Sequence, residues 1–204
     1  MVTPTLDIEK KLWKSNYNYV CGLDEVGRGS FAGPVCVGAV IFPRDFQLID
    51  GIADSKLLKA RQREKLANEI KKSAVAWSVA EINVSTISKA GIGKATQMAF
   101  RKALRLLSVR ADFVLIDAFY IKHLRRIRQK AVKNGDTICG SISAASIIAK
   151  VHRDKLMKRL SKKYPQYGFG KHKGYGTKRH QEAIRRYGLT RIHRRSFNLA
   201  RFMI

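Results

Sequence analysis

Acidic residues are scarce in this 204-residue chain: 15 Asp and Glu stand against 41 Lys and Arg, a formal net charge of +26 with a pI near 10.5. So lopsided a balance points to a polyanion as partner, nucleic acid ahead of an anionic membrane surface or plain solubility. Cysteine is scarce too. Cys21, Cys36 and Cys139 are an odd number with no CxxC pair and no Cys/His spacing of a zinc site, which leaves buried reduced thiols. Long apolar runs are missing: none approaches the roughly 20 residues needed to cross a bilayer, and the start MVTPTLDIEKKLW lacks an apolar signal core. The expectation is no membrane association and a cytoplasmic location. No internal repeat, low-complexity tract or interdomain linker interrupts the sequence. Residues 1–204 therefore read as one mixed α/β domain, with 165–204 as a basic C-terminal extension.

What is present is most informative between Tyr19 and Phe42, where Asp24 and Glu25 stand among apolar runs beside a glycine-rich turn, Gly27-Arg28-Gly29. Neighbouring strand residues point to opposite faces. One carboxylate of the pair is thus expected to face a cleft while the other reaches around the strand end, with a hard metal ion as the natural counter-charge. Short β-branched runs predict strands over Tyr19–Leu23, Val35–Phe42 and Ala74–Ile82, an antiparallel meander whose second link holds a helix. That helix, KLLKARQREKLANEIKK, follows Asp54 and Ser55 as possible caps. A second helix, ATQMAFRKALRLLS, leads to the strand Phe113–Asp117; a fifth strand is expected before Asp136; SISAASIIAKVHRDKLMKRLSKKY reads as a long helix that enters the core and leaves it; and a short helix is expected at Lys178–Tyr187.

Asp24, Glu25, Asp117 and Asp136 can thus meet at one rim of a mixed sheet. Close carboxylates repel, and two hard cations about 4 Å apart would relieve them and could drive phosphodiester hydrolysis. A turn-capping pair is the plain alternative for Asp24 and Glu25, an ordinary turn for Asp136. His152-Arg153-Asp154 spells the HRD of a kinase catalytic loop, but Arg159 stands where that motif needs Asn, so Asp154 reads as a surface ion-pair partner. His123, His172, His180 and His193 lie in basic segments and read as solvated or phosphate-facing.

DEVGRG with AGPV, DSK at 54–56, LID at Asp117, the Gly-Asp pair at Asp136, SISAASIIAKVHRD, YPQYGFGKHKGYGTKRH and IHRRSF together resemble the ribonuclease HII family, from Tyr19 to Phe197. The resemblance implies an α/β fold: a ribonuclease H-like mixed five-stranded sheet flanked by helices, with a C-terminal helical extension. It implies hydrolysis of the RNA strand of RNA/DNA hybrids and cutting 5′ of ribonucleotides embedded in duplex DNA, leaving 3′-hydroxyl and 5′-phosphate ends, in the service of removing misincorporated ribonucleotides. By the same resemblance Asp24, Glu25, Asp117 and Asp136 are the catalytic acids and hold Mg²⁺ or Mn²⁺ in a two-metal arrangement. Gly27, Arg28 and Gly29 read the ribose at an RNA-to-DNA junction, and Tyr175 packs on the neighbouring deoxyribose. Lys56 is a weaker phosphate contact. A monomer is expected, and no protein partner can be named. The chain departs from the family where Asn134 replaces a frequent Lys and where Ser30 and Phe31 replace Pro and Leu. Two rivals are the sister ribonuclease HIII, disfavoured by the GRG turn, and a non-catalytic ribonucleoprotein component, which explains the charge and leaves the placed acids unexplained.

If phosphates carry most of the binding, affinity should fall steeply, and nearly alike for DNA duplexes and hybrids, as salt rises. A binding constant that stays flat from low to moderate salt would refute it.

Overall fold

The computed structural model of the protein describes residues 3–52 and 58–203. The element order is α1 (Asp7–Lys14), β1 (Val20–Val26), β2 (Val35–Ile41), α2 (Ala60–Ser73), β3 (Ala76–Ile82), α3 (Val84–Ala90), α4 (Ile92–Arg105), β4 (Phe113–Asp117), β5 (Gln129–Val132), α5 (Gly135–Ile138), α6 (Gly140–Lys163), α7 (Phe169–His172) and α8 (Lys178–Tyr187). The five strands form one sheet in the order β3-β2-β1-β4-β5. β1, β2 and β3 pair antiparallel as the meander predicts, whereas β1–β4 and β4–β5 are parallel.

Two differences from the sequence reading matter. β1 runs on to Val26, paired with Cys36, so Asp24 and Glu25 lie inside the strand and not beyond its end. Backbone pairing with β2 extends the strand past the point where its apolar run stops. α2 begins at Ala60; Asp54 and Ser55, the expected caps, lie outside the described residues, and the side chain of Gln62 instead accepts from the Lys59 N–H at 3.1 Å. α4 starts and stops about one turn before its expected bounds, and α1 and α3 were not anticipated.

The strand period sorts side chains into two cores. Val20, Val40, Phe113 and Leu115 face α6 and α2, while Cys21, Leu23, Val37, Ala39 and Ile116 face α4. α6 lies unusually close to the sheet. A Cβ added to Gly22 would sit 2.2 Å from the Ser141 carbonyl carbon, and one added to Gly38 would sit 2.1 Å from the Ala145 carbonyl oxygen. Glycine on the strands and Ser or Ala on the helix let the two backbones touch. The start of α6 is fixed from the other side by the buried Glu9 of α1, whose Oε1 accepts the Ser141 N–H at 2.7 Å and the Cys139 thiol at 3.1 Å. All three cysteines are buried and free, with burial pushing the Cys21 and Cys36 thiols up to about 12.

Residues from Pro165 onward make a third, smaller core of Tyr167, Phe169 and Ala183 with Ala32 and Met157. It sits against the second half of α6 and the loop that follows the Gly27–Gly29 turn.

Gly38→Ala should cost about 2–3 kcal/mol, because a backbone carbonyl cannot move aside as a side chain can. Gly93→Ala, in open space on α4, should gain up to about 1 kcal/mol from helix propensity. Denaturant unfolding of both variants checks this; equal effects would mean that the helix does not ride on the glycines.

Candidate active site

β1 and β4 run in parallel with Leu23 opposite Ile116, so Asp24 and Asp117 are the next residues on adjacent strands, on the face that carries α6. Glu25 points to the other face at the same strand end. Asp117 Oδ1 accepts the Gly135 N–H at 2.7 Å, which anchors α5 and brings Asp136 alongside. A side chain at Gly135 would collide with Ile142 at 2.6 Å. Asn134, where the family often has Lys, adopts a left-handed conformation with φ 54°, which Asn enters more readily than most residues.

All four carboxylates line one cavity of about 240 Å³, together with Gly27, Arg28, Gly29, Ser146, Lys150 and Tyr175. Eight of the nine residues singled out from sequence therefore meet at one place; the ninth, Lys56, lies outside the described residues. Asp24 is buried, and burial first, then the charges of Glu25, Asp117 and Asp136, raise its pKa well above the usual carboxylate range, against a hydrogen bond from Ser146. Its Oδ1 accepts the Glu25 N–H at 2.7 Å. Among the described residues no group of three or more acid, His or Cys side chains is already drawn together as a metal cage. The donor set nevertheless suits hard divalent cations: oxygen ligands only, with mutual repulsion that a cation relieves.

Asp154 stands apart. It pairs with Lys150 at 2.7 Å and Arg63 at 3.6 Å in a separate basic pocket. Arg153, the middle of the HRD triplet, is fully buried and donates to the carbonyls of Pro34, Lys173 and Ala32. The Gly27 turn needs its glycine: φ is +87°, and a Cβ would lie 2.0 Å from Arg153 Nε. A Cβ on Gly29 would meet no protein atom. Arg28 stacks over Phe119 at 4.7 Å and also lines a larger groove of about 690 Å³ with Lys94, Arg101, Lys122 and His123.

The expectation for the histidines is corrected at three positions. His180 and His193 are buried, and His172 is partly enclosed and stacked on His180 with ring centroids 4.6 Å apart. Lys171 and Arg179 beside them are exposed and Arg194 is itself buried, while these rings pack on Tyr167 and Phe169. Burial lowers all three pKa values, to about 4 for His180 and His193. Of the two departures beside the turn, Phe31 stacks on Phe202 and occupies the space over Gly176. Ser30 is buried, and its Oγ has no hydrogen-bond partner among the described residues. Sequence reasoning missed Ser146 and Lys150, whose signal is their four-residue spacing with Asp154 along one side of the long helix.

The family model described as Ribonuclease HII matches residues 21–200. The chain belongs to the ribonuclease HII family. A curated ribonuclease HII from Desulfitobacterium hafniense is 47% identical over 189 residues, 93% of this chain and 72% of that protein. One from Chloroherpeton thalassium is 46% identical over 195 residues, covering 94% and 95%. The crystal structure of the ribonuclease H2 from Pyrococcus horikoshii OT3 superposes with a TM-score of 0.72 at 26% identity, covering 91% of this chain and 99% of that one. The fold is thus the ribonuclease H-like α/β fold, and as a ribonuclease HII the chain is an endoribonuclease of RNA/DNA hybrids. The non-catalytic reading falls. No helix among the described residues is long and apolar enough to cross a membrane.

A carboxyl whose pKa is raised on folding stabilises the fold below its unfolded value and loses that contribution as pH rises. Ionised Asp24 should therefore destabilise the metal-free protein at pH 7, and Asp24→Asn should melt several degrees higher than wild type in chelator, with the gap narrowing toward acid. An equal or lower melting midpoint for the variant at pH 7 would contradict the electrostatic account.

Proposed function

We propose that the chain cuts the phosphodiester 5′ of a ribonucleotide in an RNA/DNA hybrid or in duplex DNA, with Asp24, Glu25, Asp117 and Asp136 as catalytic acids. The observation that carries this reading is that the four carboxylates share one cavity with the Gly27–Gly29 turn and Tyr175. These four side chains would hold Mg²⁺ or Mn²⁺, which supply, when bound, activation of the attacking water and stabilisation of the leaving oxygen. The protein's own contribution is placement. Ser146 keeps Asp24 aimed into the cavity, and Asp117 holds the Gly135-Asp136 pair against the strand end.

Selectivity comes from the rim. A 2′-hydroxyl both donates and accepts hydrogen bonds, and a glycine turn open to solvent at Gly29 offers it backbone partners. Tyr175, 38% exposed, offers its ring to the following sugar, where another 2′-hydroxyl would crowd it. The groove from Arg28 to Lys94, Arg101 and Lys122 is suited to phosphates of the duplex, and Lys56 is a further phosphate contact. The chain works as one catalytic unit, with residues from Pro165 as its substrate-binding extension. Its cellular role is removal of misincorporated ribonucleotides.

A duplex with one ribonucleotide should be cut only with Mg²⁺ or Mn²⁺ and not in chelator; binding without cleavage in metal would overturn the reading. Asp136→Asn should lower cleavage about a hundredfold or more, while Asp154→Asn, which loosens the half-buried pairs with Arg63 and Lys150 and removes no carboxylate from the cavity, should remain within a few-fold of wild type. The reverse pattern in folded variants would reassign the fourth acid.

A further inference from the structure

Two buried side chains that take no part in the proposed chemistry join the two sugar-facing elements. Arg194 is fully buried and has no ion-pair partner among the described residues. Its guanidinium donates to three carbonyls: Nε to Gly33 at 2.9 Å, Nη1 to Arg28 at 2.7 Å and Nη2 to Gly27 at 2.7 Å. In a trans peptide the C=O and the next N–H point in opposite directions. Drawing the Gly27 and Arg28 carbonyls toward Arg194 therefore turns the N–H groups of Arg28 and Gly29 the other way. All three residues of that turn line the acid cavity. Burial and the charge of Arg153 lower the Arg194 pKa to about 9, so it still carries its proton at neutral pH.

The preceding residue reaches the other element. His193 Nδ1 accepts the Thr190 N–H at 2.9 Å, which in a neutral ring leaves the proton on Nε2. That proton is donated across 3.0 Å to His180 Nε2, so His180 carries its own on Nδ1 and donates it to the Tyr175 carbonyl at 2.9 Å. The direction of the chain is fixed from Thr190 to Tyr175. An added proton on either ring would set donor against donor. The groups facing the pair are His172, Tyr167 and the Tyr175 backbone, with Lys173 and Arg179 beyond His172. The intervening backbone completes the strut. Gly33 N–H donates to Ile192 O and Arg194 N–H to Phe31 O, while the N–H groups of Phe31 and Ala32 both reach Gly174 O.

We propose that His193 and Arg194 are positioning residues that set ribonucleotide selectivity by holding the Gly27–Gly29 turn and the Tyr175 loop in one fixed relation. The inference rests on the junction reading proposed above. Breaking the His193 link removes the partner that orients His180 and so loosens one hold on the Tyr175 loop while the turn stays pinned; breaking the Arg194 link releases the Gly27 and Arg28 carbonyls and leaves the loop held.

The test measures kcat/KM on a single-ribonucleotide duplex and on a uniform RNA/DNA hybrid for wild type, Tyr175→Ala, His193→Phe and Arg194→Lys. His193→Phe should lower the junction-to-hybrid ratio about tenfold, the scale of one lost hydrogen bond, with hybrid cleavage reduced far less. Arg194→Lys should lower both rates about tenfold on the same scale while leaving affinity for an all-DNA duplex unchanged. A His193→Phe protein that keeps the wild-type ratio, where wild type prefers the junction and Tyr175→Ala loses that preference, overturns the inference alone. A wild type without any junction preference brings down the junction reading first, and the two failures are distinct. Should the variants not fold, imidazole ¹⁵N spectra of the wild-type protein decide. Neutral His193 with Nε2–H and His180 with Nδ1–H are expected at pH 6; the opposite tautomers, or titration near the ordinary value of 6.5, overturn the proposal.

Discussion

The contact on which the molecule depends is the one between the backbone of α6 and the backbones of β1 and β2, made possible by Gly22 and Gly38. Ordinary helix-on-sheet packing holds the two apart by a layer of side chains. Here that layer is absent at two points, and the helix comes near enough for Ser146 to reach Asp24 and for Lys150 to enter the same cavity. Farther along the same helix, Arg153 supports the loop after the Gly27 turn. One rigid rod therefore sets the distance between the acids and the turn that faces them. Its cap, Glu9, and its seat, the two glycines, are far from the chemistry and control it only through position.

The electrostatic design places opposite burdens side by side. Asp24 is buried among three other acids, and Arg153 and Arg194 are buried with carbonyl oxygens as their partners. Neither arrangement favours the fold of the isolated protein as much as an apolar core of the same volume would. The acids lie open to a cavity, whereas the two arginines are spent on holding backbone carbonyls in place, and the excess of Lys and Arg gives the molecule a long-range attraction for polyanions.

Much of this was legible in the sequence because the informative residues are local. The strands β2 and β4, the long α6 and the short α8 follow from apolar runs and turn residues, and the four acids stand in short motifs whose convergence needs only strand order. What was not legible depends on tertiary packing. β1 continues through Asp24 and Glu25 because β2 pairs with it, although the apolar pattern has ended. α1 is polar along most of its length, and the burial of Glu9 is set by the start of α6, over a hundred residues away in sequence. The histidines were misjudged for a related reason. Their neighbours in sequence are cations, whereas their neighbours in space are Tyr167, Phe169 and one another.

The Gly27 carbonyl and the guanidinium that holds it are 167 residues apart in sequence. During synthesis the acids of β1 emerge early and the residue that fixes the adjoining turn emerges late. The turn beside the acids of β1 is thus secured only by a contact that spans most of the chain, and a polypeptide ending before Arg194 has its sheet and its carboxylates but not the three bonds that hold Gly27, Arg28 and Gly33.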